Sequence, residues 1–318
     1  MPRHAQYVPH GVIPACLLPF NEDLSIDEAS YRAHLCDVSA TEGISAITIN
    51  AHSSEVASCS FDEQRRVLAI TQDEVGARMP IIAGVYADGS LKAARIARMA
   101  ADGGASALLV FPPNPFTAGQ RPEMAVAHFR RIADAVDVPL IAFQYALASG
   151  QGYPLPTLLK IIDAVPTLRA IKTKSSTQQQ LEREVRVLQS LTPVVNVLTT
   201  HSAWLLSSLV LGCNGLLSGS GSIIADLQAR LYRAVKDKDL ASAHALHARI
   251  TPTAEAFYTD PQVDMHNRMK EALVLLGKLP RAVVRPPLVK IAQEEIERIR
   301  RALIAAGLLT EEKVRRLA

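Results

Sequence analysis

The sequence predicts an α/β fold: a (β/α)8 TIM barrel with a C-terminal α-helical extension. Eight short apolar runs alternate with amphipathic helical segments over residues 1–237, which is the repeat of a barrel of parallel strands. The runs are almost continuously apolar, as expected for parallel strands that are buried on both faces. No Gly-x-Gly-x-x-Gly turn follows the first run, so a doubly wound dinucleotide-binding sheet is the less favoured alternative.

Strands and helices alternate in a regular order along these residues. The predicted strands are Gly11–Leu18, Ile44–Asn50, Pro80–Tyr86, Ala107–Phe111, Val138–Tyr145, Leu168–Thr173, Val194–Thr200 and Gly215–Ser218. The predicted helices are Ile26–Thr41, Phe61–Val75, Leu91–Ala101, Glu123–Ala135, Leu155–Ala164, Gln178–Leu188, Ser202–Leu211 and Ile223–Val235. Capping signals precede three of these helices at Ser25, Ser60 and Ser90.

Beyond residue 237 the strand signals stop and only helical patterns remain. Three helices are predicted there, at Leu240–Phe257, Asp264–Leu276 and Val289–Ala306. No cluster of Pro and Gly forms a flexible linker before them. We therefore expect residues 1–237 to form the barrel and residues 238–318 to form a helical extension that docks on it.

The composition indicates a protein that acts on a small molecule. The chain has 318 residues, of which 48% are hydrophobic and 20% charged, which excludes disorder and coiled coil as descriptions of the whole. The net charge of +3 is too small to indicate binding to nucleic acid or to an anionic membrane. Aromatic residues make up 5% of the chain, which also disfavours a base-stacking surface.

The termini, cysteines and apolar stretches predict a cytoplasmic protein. The first residues hold no apolar signal segment, and the longest apolar stretches are shorter than a membrane span. The four cysteines are far apart and lack Cys-x-x-Cys spacing, so reduced thiols are expected rather than disulfides or a zinc site. No metal and no cofactor are expected.

In a barrel of this kind, reactive side chains lie at the C-terminal ends of the strands, where the loops converge. By that rule the candidates are Asn50, His52, Ser53, Tyr86, Asp88, Asn114, Phe143, Tyr145, Lys172, Lys174, Thr200, His201 and Ser218–Ser220.

Lys172 stands near the end of the sixth predicted strand, in a setting that normally excludes a cation. An ammonium that faces a barrel interior loses hydration, which lowers its pKa. Lys174 lies on the same side of an extended chain, and its positive charge would lower the pKa of Lys172 further. A neutral lysine amine is a nucleophile that forms an imine with a ketone or a 2-oxo acid. The residues alone favour another interpretation, in which Lys172 ends the strand and extends to solvent or to a carboxylate.

Segments along nearly the whole chain resemble one family of barrel enzymes. They are Gly11–Pro14, Asp62–Arg65, Pro80–Val85, Val138–Ile141, Ala170–Lys172, Gly215–Ser218 and Ala305–Leu309. In their order and spacing they resemble the dihydrodipicolinate synthase and N-acetylneuraminate lyase family of class I aldolases and dehydratases. The resemblance implies a (β/α)8 barrel, a Schiff-base lysine at Lys172, no cofactor, and a homodimer or homotetramer.

The loop after the second strand departs from the family pattern. Where the family has Gly-Thr-Thr-Gly-Glu, this chain has Ala51–Glu55. The resemblance implies that Ser53 and Ser54, with their backbone amides, hold the carboxylate of the substrate. His52 replaces a threonine, and its imidazole either assists with the anion or bonds to backbone.

Both relay tyrosines of the family are missing. They align with Phe143 and Asn114, and a phenyl ring cannot transfer a proton. We expect Tyr145, His52 or His201 to do the acid–base work, although simple packing is an equal alternative for Tyr145 and the favoured one for His201. Residues 146–150 also lack the arginine with which the lysine-biosynthesis enzyme binds its aldehyde substrate.

The glycine-rich stretch after the eighth strand has two interpretations. Residues 215–221 could bind phosphate through backbone amides at the start of the next helix. The resemblance instead implies a wall near the imine, with the carbonyl of Leu217 close to the lysine and Ser218 beside it. We favour the wall.

Together these features predict a Schiff-base-forming lyase, an aldolase or dehydratase that acts on pyruvate or a 2-keto-3-deoxy acid. The replaced residues predict a protein that is not a true dihydrodipicolinate synthase, with a substrate that is bulkier or differently charged. The alternative is a catalytically degenerate family member that binds a small 2-oxo acid or has a regulatory role. A third, less favoured hypothesis is an enzyme that uses a phosphate site at residues 219–221.

Overall fold

Eight parallel strands form a barrel in a computed structural model that describes residues 3–200 and 202–310. The strands are β1 Gly11–Pro14, β2 Ile47–Ile49, β3 Ile81–Val85, β4 Ala107–Val110, β5 Leu140–Gln144, β6 Leu168–Thr173, β7 Asn196–Thr199 and β8 Gly215–Ser218. Continuous ladders join each strand from β2 to β8 with its successor, and β8 with β1. Between β1 and β2 the Ser45 amide donates to the Val12 carbonyl and the Cys16 amide to the Thr48 carbonyl, at 2.9 and 2.8 Å. These two bonds bring the ends of the sheet together, and the predicted barrel is confirmed.

Helices follow the strands and cover the outside of the barrel. They are α1 Glu28–Ser39, α2 Phe61–Glu74, α3 Ser90–Asp102, α4 Pro122–Ala133, α5 Leu155–Ala164, α6 Gln178–Leu188, α7 Leu205–Val210 and α8 Gly221–Lys236. The first strand is shorter than the apolar run that predicts it. Leu17 is fully buried, but its amide donates to the side chains of His34 and Ser222 rather than to a neighbouring strand.

The N-terminal caps show how side chains decide where helices begin. Ser60 caps α2 in a complete capping box. Its hydroxyl accepts a hydrogen bond from the Glu63 backbone amide, and the Glu63 carboxylate accepts one from the Ser60 backbone amide. At α1 the cap is Asp27 rather than Ser25, because the Asp27 carboxylate accepts the Ser30 amide. Ser90 is already the first residue of α3, where its hydroxyl bonds to His128.

Three further helices follow the barrel: α9 Leu240–Phe257, α10 Met265–Leu275 and α11 Gln293–Ala305. Helix α9 packs against α8 and α11, and α10 packs against α11. The division of the chain at residues 237 and 238 stays a prediction, and the structure adds that α9 and α10 share a cavity with the barrel. None of the helices in the described part of the chain is both long and apolar enough to span a bilayer.

A buried ion pair ties the C-terminal helices to the loop after β2. The Lys270 ammonium on α10 is fully buried and donates to the Glu55 carboxylate and, at 2.8 Å, to the Val283 carbonyl. The same carboxylate accepts the Arg285 amide at 3.0 Å. The Lys270 ammonium and the Arg285 guanidinium each lie 4.3 Å from the centroid of the Phe20 ring, so both cations contact the same aromatic ring.

Removing one member of this pair is expected to be costly. Lys270→Met leaves the Glu55 carboxylate buried without its cation, and we expect the free energy of unfolding to fall by about 3–5 kcal/mol. The double variant Glu55→Gln with Lys270→Met removes both charges and should be more stable than the single one. Urea unfolding measures both.

The control is the exposed pair of Glu182 and Arg186 on α6. There Glu182→Gln should lower the free energy of unfolding by no more than about 1 kcal/mol. An equally small loss for Lys270→Met would contradict the role given to the buried pair.

Candidate active site

A cavity of about 410 Å³ opens at the C-terminal ends of the strands. This is the end of a (β/α)8 barrel at which the loops converge and reactive groups are placed. Its polar and aromatic lining from the barrel comprises His52, Ser53, Phe143, Tyr145, Lys172, Lys174, Thr200 and Ser202. Helices α9 and α10 and the segment between them add Glu255, Tyr258, Thr259, Gln262 and His266. The cavity therefore has barrel walls and a cover of C-terminal helices.

Lys172 lies at the inner part of this cavity because of its register on β6. It pairs with Phe143 of β5 and Leu198 of β7, both of which belong to the apolar interior of the barrel. The next residue, Thr173, points outward and donates its hydroxyl to Glu184 of α6. Because successive side chains of a strand point to opposite faces, Lys172 points inward. The side chain is only 7% exposed.

The surroundings of Lys172 favour a neutral amine. Among the described residues no carboxylate forms an ion pair with it, and its Nζ lies 4.1 Å from the centroid of the Phe143 ring. Burial lowers the pKa of Lys172 to about 7, and the nearby charge of Lys174 adds to the effect. At neutral pH, Lys172 is therefore an uncharged amine in a large fraction of the molecules, and this is the nucleophilic form of the side chain.

His52 and Tyr145 form a second group within the cavity. The Tyr145 hydroxyl and His52 Nε2 lie 3.4 Å apart, and the imidazole is packed among Tyr86, Phe111 and Phe143. Burial, with Lys172 and Lys174 nearby, lowers the pKa of His52 to about 3. Burial also raises the pKa of the Tyr145 phenol. Both groups are neutral at physiological pH, so the pair can pass a proton without holding a charge.

The loop that carries His52 has an unusual backbone. It lies between Asn50 and Glu55, and both of these residues adopt left-handed φ angles of 51° and 50°. Gly84 of β3 permits this course, because a Cβ there would lie 1.9 Å from the Asn50 carbonyl oxygen. The Asn50 side-chain amide stabilises the loop by donating to the Gln64 backbone carbonyl at 2.9 Å.

The two serines of this loop have different surroundings. Ser53 lines the cavity, is 2% exposed, and has a buried hydroxyl with no hydrogen-bond partner. Ser54 does not line the cavity, and its hydroxyl donates to the Cys16 carbonyl at 2.9 Å. Its amide is also occupied, since it donates to the Ala51 carbonyl. The structure therefore leaves Ser53, and not Ser54, available to a ligand.

Three other predicted site residues do not line the cavity. Asn114 is exposed and donates its side-chain amide to the Tyr86 hydroxyl at 3.2 Å. Leu217 is buried in the apolar interior of the barrel, and the Ser218 hydroxyl bonds to Ser220 at 2.9 Å. His201 lies outside the described residues.

The C-terminal part of the lining was missed by the sequence reasoning, which treated these helices as packing elements. A signal was present in α10, which buries His266, Asn267, Arg268 and Lys270 where an apolar stripe is the usual pattern. Of these four residues, only His266 lines the cavity, whereas Arg268 and Lys270 form ion pairs within the fold. Among the described residues, no group of three or more His, Cys, Asp or Glu side chains is arranged to hold a metal ion.

Comparison with known proteins gives the family of the chain. The model of the dihydrodipicolinate synthetase family matches residues 8–306. The chain belongs to this family. The resemblance seen in the sequence is confirmed, and the protein is a class I aldolase-type lyase.

Curated relatives of this dihydrodipicolinate synthetase family member are named 4-hydroxy-tetrahydrodipicolinate synthase. One from Corynebacterium aurimucosum is 30% identical over 309 residues, covering 93% of this chain and 94% of the relative. Another from Methanopyrus kandleri is 28% identical over 302 residues, covering 95% of this chain and 97% of the relative.

Solved structures of the family share the fold. A prophage protein of the dihydrodipicolinic acid synthase family from E. coli K12, solved in complex with pyruvate, superposes with a TM-score of 0.87. The match has 21% identity and covers 94% of this chain and 99% of that one. An N-acetylneuraminate lyase from Fusobacterium nucleatum gives a TM-score of 0.82 at 19% identity, with 95% and 99% coverage.

The lowered pKa of Lys172 predicts a stability that depends on pH. Its folded-state pKa of about 7 lies below the ordinary value of about 10.4, so the unfolded chain retains the proton to a higher pH. The stability cost of the buried charge is full below pH 7 and disappears as the pH rises toward 10.4. We expect Lys172→Met to raise the Tm by a few °C at pH 6 and by much less at pH 10.

The control variant is Lys92→Met, because Lys92 is exposed on α3. Its effect on Tm should be small and equal at both pH values in the same thermal scans. A pH-independent change for Lys172→Met would mean that Lys172 keeps an ordinary pKa in the folded protein.

Proposed function

We propose that this protein forms a Schiff base between Lys172 and a 2-oxo acid, either pyruvate or a 2-keto-3-deoxy acid. The observation that carries the proposal is a buried amine with a lowered pKa and no carboxylate partner among the described residues, at the inner part of the cavity. The unpaired Ser53 hydroxyl lines the same cavity and would donate to the carboxylate of the acid.

The chemistry begins with attack of the neutral Lys172 amine on the C2 carbonyl of the acid. Loss of water gives an imine, and its protonated form withdraws electrons from the neighbouring carbon. A proton on C3 then becomes acidic, or the bond from C3 to C4 breaks, and the electron pair moves into an enamine. Addition of the enamine to an aldehyde is the reverse of cleavage, and loss of a β-hydroxyl from the substrate is dehydration.

The proton transfers require a group near Lys172, and Phe143 cannot supply one. Tyr145 and His52 line the same cavity, and the Phe143 and Tyr145 rings lie 4.4 Å apart between their centroids. We assign the relay to this pair: the Tyr145 phenol donates a proton and the neutral His52 imidazole accepts one. Because His52 has a pKa of about 3, it passes the proton on and does not store it.

We propose further that the protein is not a true dihydrodipicolinate synthase, although its curated relatives have that name. The support lies in Phe143 and Asn114, which stand where the family resemblance expects relay tyrosines, and in the absence of arginine from residues 146–150. A catalytically degenerate protein that only binds a 2-oxo acid is the alternative. It would form the imine but exchange no proton at C3.

The assembly proposed is a homodimer or homotetramer, as the family resemblance implies. One solved structure with a TM-score of 0.87 is described as a monomeric dihydrodipicolinate synthase variant, so the fold alone does not determine the state. Light scattering during size-exclusion chromatography decides between these masses.

Reductive trapping tests the imine directly. With pyruvate and borohydride, we expect a stable adduct on the peptide containing Lys172, read by mass spectrometry. Trapping should rise as the pH passes through about 7, because the amine is then deprotonated. Lys172→Ala should abolish it, while Lys174 serves as an internal control that carries no adduct. Adduct on exposed lysines alone would overturn the proposal.

Deuterium exchange tests the relay separately. When pyruvate is incubated with the protein in D2O, enamine formation replaces its methyl protons, which NMR records. Tyr145→Phe should slow this exchange by about 10²–10⁴-fold while trapping of the imine continues.

Tyr153→Phe is the matched control, since Tyr153 is buried, has an unpaired hydroxyl and does not line the cavity. It should exchange at the rate of the unaltered protein. Equal rates in both variants would remove Tyr145 from the mechanism, and no exchange in the unaltered protein would favour the degenerate alternative.

A further inference from the structure

A second lysine lies above Lys172 on the wall of the cavity. The ladder with β5 continues one residue beyond β6, because the Lys174 amide donates to the Gln144 carbonyl at 2.8 Å. Lys172 and Lys174 thus lie on the same face of an extended segment, with Thr173 between them turned outward to Glu184. Two residues of extended chain place Lys174 about 6.6 Å nearer the mouth of the cavity.

The charge of Lys174 lacks an acidic partner in the described part of the chain. Its ammonium donates to the Gln262 side-chain oxygen at 3.0 Å, and no described carboxylate forms an ion pair with it. Glu255 is the only acidic residue among the described residues that line the cavity, and it is exposed to solvent. Burial also lowers the pKa values of His52 and His266, so both imidazoles are neutral at physiological pH. Burial lowers the pKa of Lys174 as well, and a bound anion would therefore favour the protonated form of its amine.

The cavity also has more room than the proposed reaction centre requires. Its volume of about 410 Å³ lies within the range of sites that enclose drug-sized ligands. A three-carbon acid bound at Lys172 and Ser53 would fill only the inner part. The outer part is lined by Lys174 and Gln262, with Tyr258 and Thr259 on the covering segment.

We propose that Lys174 and Gln262 form an anion subsite that selects 2-oxo acids with a second carboxylate at the end remote from the imine. The inference rests on the proposed function of Lys172. The ammonium supplies the charge, and Gln262 keeps its side-chain NH2 as a further donor because only its oxygen is used by Lys174. One cation and one amide suit a monovalent planar carboxylate.

The test compares two acids that differ at one end. 2-Oxoglutarate ends in a carboxylate, and 2-oxopentanoate has a methyl group in its place. The half-saturating concentration of each is measured by borohydride trapping at Lys172. We expect the unaltered protein to prefer the diacid by about ten- to a hundredfold, the effect of one hydrogen bond to a charged group. Lys174→Met should abolish the preference, and Lys174→Arg should retain most of it.

The ratio of the two acids is the decisive quantity, because any change in the reactivity of Lys172 affects both equally. Lys92→Met, on the exposed face of α3, is the control and should leave the ratio unchanged. If pyruvate is trapped at Lys172 but Lys174→Met keeps the ratio of the unaltered protein, the anion subsite is overturned and the proposed function stands.

A measurement without imine chemistry keeps the two proposals separable. If no 2-oxo acid is trapped, the proposed function fails, and calorimetric binding of glutarate and pentanoate decides on the subsite alone. Preferential binding of glutarate that Lys174→Met removes would support the subsite. Equal binding of the two acids to the unaltered protein would overturn it.

Discussion

The site depends on an amine that is kept away from both water and acidic side chains. Lys172 extends from a strand whose neighbours are apolar, and the residues around it are neutral or positive: Phe143, His52 and Lys174. The rest of the barrel interior is a continuous apolar cluster, whose burial opposes the cost of placing an amine there. Because these surroundings do not solvate a cation, they favour the neutral amine, which is the form that the proposed imine chemistry requires.

The barrel alone does not complete this environment. Helix α10 supplies His266 to the cavity and, one turn further on, Lys270 to the Glu55 carboxylate. Glu55 ends the loop that presents His52 and Ser53, so one helix both covers the cavity and fixes a loop of its wall. The long-range ion pair thereby links the stability of the C-terminal helices to the geometry of the site.

The sequence was sufficient for features that depend on local pattern. The order of strands and helices follows from apolar periodicity, and the inward direction of Lys172 and Tyr145 follows from the two-residue repeat of a strand. Contacts between distant segments were not predictable in this way. The Ser54 hydroxyl donates to the Cys16 carbonyl, and Gln262 accepts from Lys174 although the two residues are 88 positions apart in the sequence. Neither contact follows from the local sequence pattern around its residues. Asn114 begins a short 3-10 helix after β4, and no apolar periodicity in the sequence marks this helix.

The junction of β1 and β2 has a consequence for motion. Elsewhere around the barrel the strands form ladders, whereas here isolated bridges at Val12 and Ala15 join the two edges. Because isolated bridges carry fewer hydrogen bonds than a ladder, we expect the amides of this seam to exchange with solvent before those of the central strands. Because β2 leads directly into the loop with His52 and Ser53, local opening of the seam would also displace the start of that loop. This loop is thus joined at one end to the seam of the barrel and at the other, through Glu55, to the buried ion pair with α10.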